Sequence, residues 1–232
     1  MRIAMWSGPR NLSTAMMYSF AARSDFTAMD EPFYAPFLAT TGNDHPMRAD
    51  ILAAHETDPV AVEATCLGPI DTPHLYMKHM PHHMEPSFPM DWAASCVNVH
   101  LIRHPARVIA SYAAKWPEVT LEEIGFIQQA RLYDQIGGVV IDSYDIRQNP
   151  EAALRSLCSA IGLPFDPAML SWPAGPRAYD GVWAAHWYGA VHHSTGFAGA
   201  EGPLPKLEGR LNDLLQAALP HYELMKSRAI TL

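Results

Sequence analysis

The amino-acid sequence predicts an α/β fold of three layers, a mainly parallel sheet with helices on both faces. Three observations carry that expectation. Short apolar runs of strand length alternate with longer runs of helical spacing, the order expected of βαβ units. Proline or Asn-Pro stands where a helix should start, in HLIRHPARVIASY and in NPEAALRSLCSAIGL. The chain also opens on a strand, a tight loop and a helix, in RIAMWSGPRNLSTAMMYSF.

Each element can be justified in order. RIAMW is a short apolar strand, and STAMMYSFAAR has the spacing of a helix. FTAMDEPFY reads as a second strand ending at Asp30-Glu31-Pro32, because proline removes a ladder donor. Residues 36–74 lack clear periodicity and suggest one or two helices with loops. HLYMKHM, residues 74–80, is a third strand ended by Pro81. CVNVHLIRHP is the strongest strand pattern, with Pro105 at a first helical position and ARVIASYAAKW continuing as an amphipathic helix. LEEIGFIQQARLYDQIG suggests one helix stopped by Gly137-Gly138, and VVIDSYDI another buried strand. Asn149 should cap the next helix, with Pro150 in its first turn and Gly162 at its end. Residues 164–206, rich in Gly, Pro, Trp and His, read as an irregular segment of the kind that lines sites. LPKLEGRLNDLLQAAL gives a last helix.

With 232 residues, 49% apolar and 17% charged, residues 1–232 fit a single domain with a sizeable core. A net charge of −8 argues against a nucleic-acid partner, so an anionic ligand must be met by a few placed cations and backbone amides. Cys66, Cys96 and Cys158 are widely spaced and odd in number, which fits a reducing, cytoplasmic setting better than a disulfide framework or a zinc site. No signal-like segment or membrane span of about 20 apolar residues is read.

The opening loop has the character of an anion cradle. A strand–loop–helix transition gathers unpaired amides at the positive end of a helix dipole. Gly8 permits close backbone approach, Pro9 stiffens the turn, Arg10 can fork onto phosphate oxygens, and Ser13 and Thr14 offer hydroxyls. Ser13 or Thr14 could equally cap the helix, with Arg10 a surface charge. The loop lacks the G-x-x-x-x-G-K-[ST] pattern of a triphosphate and Mg²⁺ site. A second cluster lies downstream, where Arg103 ends the strongest strand and Ser111 follows eight positions later in the next helix.

With these residues in view, the chain resembles the sulfotransferases that use 3′-phosphoadenosine 5′-phosphosulfate (PAPS). The resemblance implies a P-loop NTPase-like sheet and in-line transfer of a sulfuryl group to a hydroxyl or amine, leaving adenosine 3′,5′-bisphosphate (PAP). It implies that Arg103 and Ser111 bind the 3′-phosphate. It also implies that Gly8, Pro9, Arg10, Asn11, Leu12, Ser13 and Thr14 form the 5′-phosphosulfate loop in its Pro-Arg-x-x-Ser-Thr version. Asn11 and Leu12 depart from the usual Ser and Gly. Tyr144, in IDSYDIRQNP, is similar to a family position near the adenosine. Ser194, Thr195 and Gly196 loosely match the late loop that closes over the cofactor, without its usual Arg-Lys-Gly.

Sulfuryl transfer needs an aligned acceptor oxygen, a base and positive charge on the sulfuryl oxygens. No metal is required by that logic. Glu31, at the end of the second strand, is the first candidate base, and the resemblance implies a similar Glu-Pro in bacterial and carbohydrate enzymes. His79 competes, since YMKHMP resembles the Lys-x-His-x-Pro region of cytosolic sulfotransferases, although Lys78 is directly adjacent to His79. His79, His82 and His83 are read as solvated loop histidines rather than metal ligands. Phe33, Tyr34, Phe37, Trp172, Tyr179, Trp183, Trp187 and Tyr188 could stack on a small-molecule or carbohydrate acceptor, or could pack the core. A homodimer is left open. Two other readings stand beside this one. A P-loop small-molecule kinase would want a loop lysine and an acidic pair. A non-catalytic nucleotide-binding protein would bind without turnover or hold a filled phosphate site.

Overall fold

The computed structural model describes residues 1–116 and 118–232. Five strands form one parallel sheet: β1 Arg2–Ser7, β2 Phe26–Asp30, β3 His74–His79, β4 Val97–Ile102 and β5 Val139–Asp142, in the order β2-β3-β1-β4-β5. The register sets Trp6 beside His79 and His100, and Asp30 beside Lys78. The helices are α1 Ser13–Ala21, α2 Tyr34–Thr41, α3 Arg48–Ala54, α4 Pro59–Leu67, α5 Pro105–Ala113, α6 Leu121–Ile124, α7 Phe126–Ile136, α8 Ser143–Gln148, α9 Pro150–Ala160, α10 Ala184–Trp187, α11 Gly189–His192 and α12 Gly209–Lys226. They cover both faces of the sheet in the expected three layers. Helix α1 packs on β2 and β3, α9 packs on β5, and α7 and α12 lie over β4.

Burial explains why these segments pair. Ile3, Ala4, Met5 and Trp6 in β1 are fully buried, as are Leu75, Tyr76 and Met77 in β3, the near-continuous apolar pattern of a sheet covered on both faces. A second cluster joins Val108 and Ile109 of α5 to Ile124, Phe126 and Ala218. Pro105 and Pro150 each occupy the first turn of a helix, and Asn149 accepts the Ala152 amide at 3.1 Å.

Three expectations are corrected. Residues 34–67 hold three helices. The helix read across 121–136 is two, because Gly125 adopts φ 71 between a Thr120–Glu123 capping box and α7. The strand read through residue 146 ends at Asp142, whose carboxylate accepts the Tyr144 amide at 2.9 Å and starts α8. The break at Gly125 also shapes the first loop. A Cβ on Gly8 would lie 2.8 Å from the Ile124 carbonyl oxygen, and one on Gly125 would lie 3.3 Å from His82 Nδ1. Gly8 is therefore required by close packing of two loops. No helix among the described residues is long and apolar enough to cross a membrane.

Candidate active site

The chain leaves β1 toward β2 on one side of the sheet and leaves β4 toward β5 on the other. The carboxyl ends of β1 and β4 therefore flank the switch point where open α/β sheets bind ligands. A cavity of about 610 Å³ opens there. Pro9, Arg10, Asn11, Leu12, Ser13 and Thr14 of the first loop line it, together with Glu31 from the end of β2, Arg103 from the end of β4 and Ser111 from α5. Residues distant in sequence thus converge on one space.

The loop is strained and locked. Arg10 and Leu12 adopt φ 59 and 67, and Glu31 φ 39, so three of the four non-glycine residues with positive φ among the described residues line the cavity. Such backbone costs about 1–3 kcal/mol per residue and persists where surroundings over-determine it. Here Asn11, 4% exposed, donates its side-chain amide to the Leu101 carbonyl at 2.6 Å. Arg103 Nη1 donates to the Arg10 carbonyl at 2.6 Å, and Arg10 Nε donates to Ser111 Oγ at 3.0 Å. Helix α1 has Leu12 at its cap and no side-chain capping bond, so neither Ser13 nor Thr14 takes the capping role and the first-turn amides face the cavity end of the helix. Burial, with Arg103 alongside, lowers the Arg10 pKa.

Across the cavity lies a buried charge network. Lys78 Nζ donates to Glu31 Oε1 at 2.5 Å, to Asp30 Oδ1 at 3.1 Å and to the Tyr188 hydroxyl. Tyr188 donates to Asp30, and the Gly181 amide reaches Asp30 Oδ2 at 3.1 Å. Asp30 is saturated by this network. Glu31 is not: its Oε2 accepts no hydrogen bond among the described residues, and His83 Nδ1 lies 3.8 Å from it. Burial raises the Glu31 pKa despite the opposing Lys78 ammonium. Burial pulls Lys78 down, but Asp30 and Glu31 outweigh it and its pKa rises.

The structure separates the two candidate bases. Lys78 and His79 are neighbours on β3, so their side chains leave opposite faces of the sheet. Lys78 lines the cavity, whereas His79 stacks on Trp6 with ring centroids 4.5 Å apart and touches Trp92 and Phe33. Both His79 nitrogens are buried without partners, and burial lowers its pKa to about 3. His79 does not reach the cavity, and the adjacency of Lys78 is the reason. Gly8 and Tyr144 also lie outside the lining; Tyr144 is 44% exposed on α8.

Other residues were not anticipated as site residues. His83 is buried and His82 half-buried: both line the cavity, His83 stacks on Tyr34 and Phe37, and burial lowers both pKa values. Lys78, His45, Tyr112 and Phe197 line it too; Ser194, Thr195 and Gly196, which the sequence offered as a closing loop, also lie in the lining. Of the aromatics read as acceptor contacts, Tyr34, Trp187 and Tyr188 reach the cavity; Phe33, Phe37, Trp172, Tyr179 and Trp183 pack behind it. Beyond the cavity edge, the carboxylate of Glu201 is gripped by Arg103, Arg107 and Arg147. No group of three His, Cys, Asp or Glu among the described residues is arranged to hold a metal ion.

Comparison with known proteins agrees with this architecture. The sequence profile described as "Sulfotransferase domain" matches residues 1–229. Two Arabidopsis thaliana proteins, named branched-chain-amino-acid aminotransferase-like proteins 2 and 1, are 35% and 36% identical to the chain over 97% of its length. The chain spans only 41% of each. Among solved structures, a sulfotransferase from Alicyclobacillus acidocaldarius superposes with a TM-score of 0.56 at 11% identity, covering 97% of this chain and 94% of that one. The sulfotransferase domain of the curacin biosynthetic pathway superposes with a TM-score of 0.54 at 17% identity, covering 94% and 96%. These two likenesses carry the fold. The profile match along nearly the whole chain carries the family: this protein belongs to the sulfotransferase domain family.

Proposed function

We propose that the chain transfers a sulfuryl group from PAPS to a hydroxyl or amine of a small-molecule or carbohydrate acceptor. The observation that carries this reading is the convergence of Arg10, Glu31, Arg103 and Ser111, from four separate segments, on one cavity. The donor fits the residues present. Arg103 Nε is buried with no partner, and the uncapped start of α1 supplies amides beside Arg10. In this reading the loop from Pro9 to Thr14 holds the 5′-phosphosulfate, and Arg103 with Ser111 holds the 3′-phosphate.

PAPS, when bound, supplies an activated sulfuryl group and leaves as PAP. Glu31 Oε2 takes the proton of the acceptor as its oxygen or nitrogen bonds to sulfur. The buried position that raises the Glu31 pKa makes its carboxylate a stronger base than an exposed one. Lys78 is a positioning residue, holding Glu31 by Oε1 and leaving Oε2 without a hydrogen bond. Arg10 neutralises charge building on the departing side. Tyr34, Trp187 and Phe197 shield the reacting atoms from water and offer flat faces to the acceptor. Burial lowers the pKa values of His82 and of His83, the latter beside Glu31.

The test is incubation with PAPS and a panel of alcohols, phenols, sugars and amines, with PAP and sulfated product followed by mass spectrometry. Acceptor-dependent PAP release is expected. PAP binding with no transfer to any acceptor would favour the non-catalytic reading, to which the engagement of Arg103 by Glu201 lends support.

A further inference from the structure

Residues 199–202 cross a guanidinium cluster beside the cavity. Arg107 Nε lies 2.8 Å from Glu201 Oε2 and Arg147 Nη1 lies 3.1 Å from Oε1, to which Arg103 Nη2 also donates. The backbone of the segment is held by the same groups. Arg147 Nε and Nη2 donate to the Gly199 carbonyl at 2.8 and 2.6 Å, and Arg107 donates to the Gly202 carbonyl. Ala198, Gly199, Ala200 and Gly202 are exposed, yet the Glu201 side chain is only 2% exposed. An otherwise exposed, irregular segment thus buries one carboxylate.

The charges in this cluster do not balance. Three guanidinium groups face one carboxylate, and among the described residues no second acidic side chain pairs with any of the three. Arg103 Nε remains buried without a partner. Guanidinium forks suit phosphate oxygens at least as well as carboxylate, and a phosphomonoester carries nearly two charges where Glu201 carries one. The cluster therefore suits a phosphomonoester dianion better than it suits Glu201. Residues 193–198, directly before this segment, form a wall of the cavity, so wall and carboxylate belong to one continuous strap.

We infer that Glu201 is an internal stand-in for a ligand phosphate: its carboxylate fills the Arg103–Arg107–Arg147 subsite until a phosphomonoester dianion displaces it and frees the strap. The inference rests on the donor proposed above, whose 3′-phosphate is the group that would do so. Arg107 and Arg147 then join the phosphate site, and apparent affinity is reduced by the fraction of molecules in which Glu201 is docked.

The test compares wild type with Glu201→Gln, using PAP and 5′-AMP as probes, by calorimetry and by stopped-flow tryptophan fluorescence. In wild type, the observed association rate should level off with PAP concentration as strap release becomes limiting. Glu201→Gln should tighten PAP about tenfold, as expected where roughly nine in ten molecules are docked, and should lift that plateau. Binding of 5′-AMP, which lacks the second phosphate, should not change. Thermal melting checks that the variant folds; should it fail, Glu201→Asp, which shortens the reach of the carboxylate, should tighten PAP in the same direction. PAP binding to wild type that is unchanged or weakened by the substitution would overturn the inference and leave the donor assignment standing. An equal gain for 5′-AMP would overturn it likewise. PAP binding to neither protein would overturn both.

Discussion

Arg103 Nη1 donates to the backbone carbonyl of Arg10 at 2.6 Å, joining the end of β4 to the loop after β1. One guanidinium thereby stabilises the left-handed backbone of Arg10 while its Nη2 holds Glu201 and its Nε stays buried without a partner. The end of β4 and the loop after β1 are thus joined by a direct hydrogen bond.

Arg103→Ala should weaken PAP by about 10- to 100-fold, the loss of one or two charge-assisted hydrogen bonds, while 5′-AMP loses much less. Calorimetry with both nucleotides reads the difference. Equal losses would remove the 3′-phosphate from Arg103.

Glu31→Gln should suppress turnover by at least about 100-fold, the scale of general-base catalysis, and leave PAP affinity nearly intact. In wild type, turnover should fall on the acid side as Glu31 takes up a proton. Because burial raises its pKa, that limb should lie above the ordinary value of 4.5. Initial rates from pH 4.5 to 8.5 locate the limb, and its persistence in Glu31→Gln would assign it to another group.

Lys78→Met should destabilise the fold by about 3–5 kcal/mol, since Asp30 and Glu31 would keep buried charge with no cation between them. Denaturant unfolding at pH 7.5 measures this. Adding Asp30→Asn should recover part of the loss; a second substitution that deepened it would argue against a charge origin.

His79→Phe should leave turnover in place and make the protein less sensitive to acid. Burial holds the His79 pKa at about 3, below the ordinary 6.5, so stability from this residue is present above pH 6.5 and is lost as pH falls toward 3. Each pH unit within that window removes about 1.4 kcal/mol. Melting at pH 7.5 and 5.5 should show a smaller drop in the variant. Loss of turnover in a well-folded His79→Phe protein would return His79 to the chemistry.

Much of this site could be read from local pattern. Arg10, Arg103 and Glu31 each sit where a strand hands over to a loop, and in a parallel sheet those handovers share one edge. The choice between Glu31 and His79 as base could not be read that way, because it depends on which of the adjacent Lys78 and His79 faces Asp30 and Glu31 across the β2–β3 pairing. Pro81 suggested an exposed turn, yet the aromatic faces of Tyr34 and Phe37, 40 or more residues upstream, cover His83. Glu201 lies in a segment with no periodicity, and its partners Arg103 and Arg147 are 98 and 54 residues away. Gly8 was visible as a loop glycine, but its neighbour Ile124 was hidden by the helix break at Gly125.

The most direct test of the donor assignment is calorimetric titration of the purified chain with PAP, with ATP plus Mg²⁺ as the comparison. Tight PAP binding with weak ATP binding is the predicted result. A preference for ATP would contradict the account and favour phosphoryl transfer in this cavity.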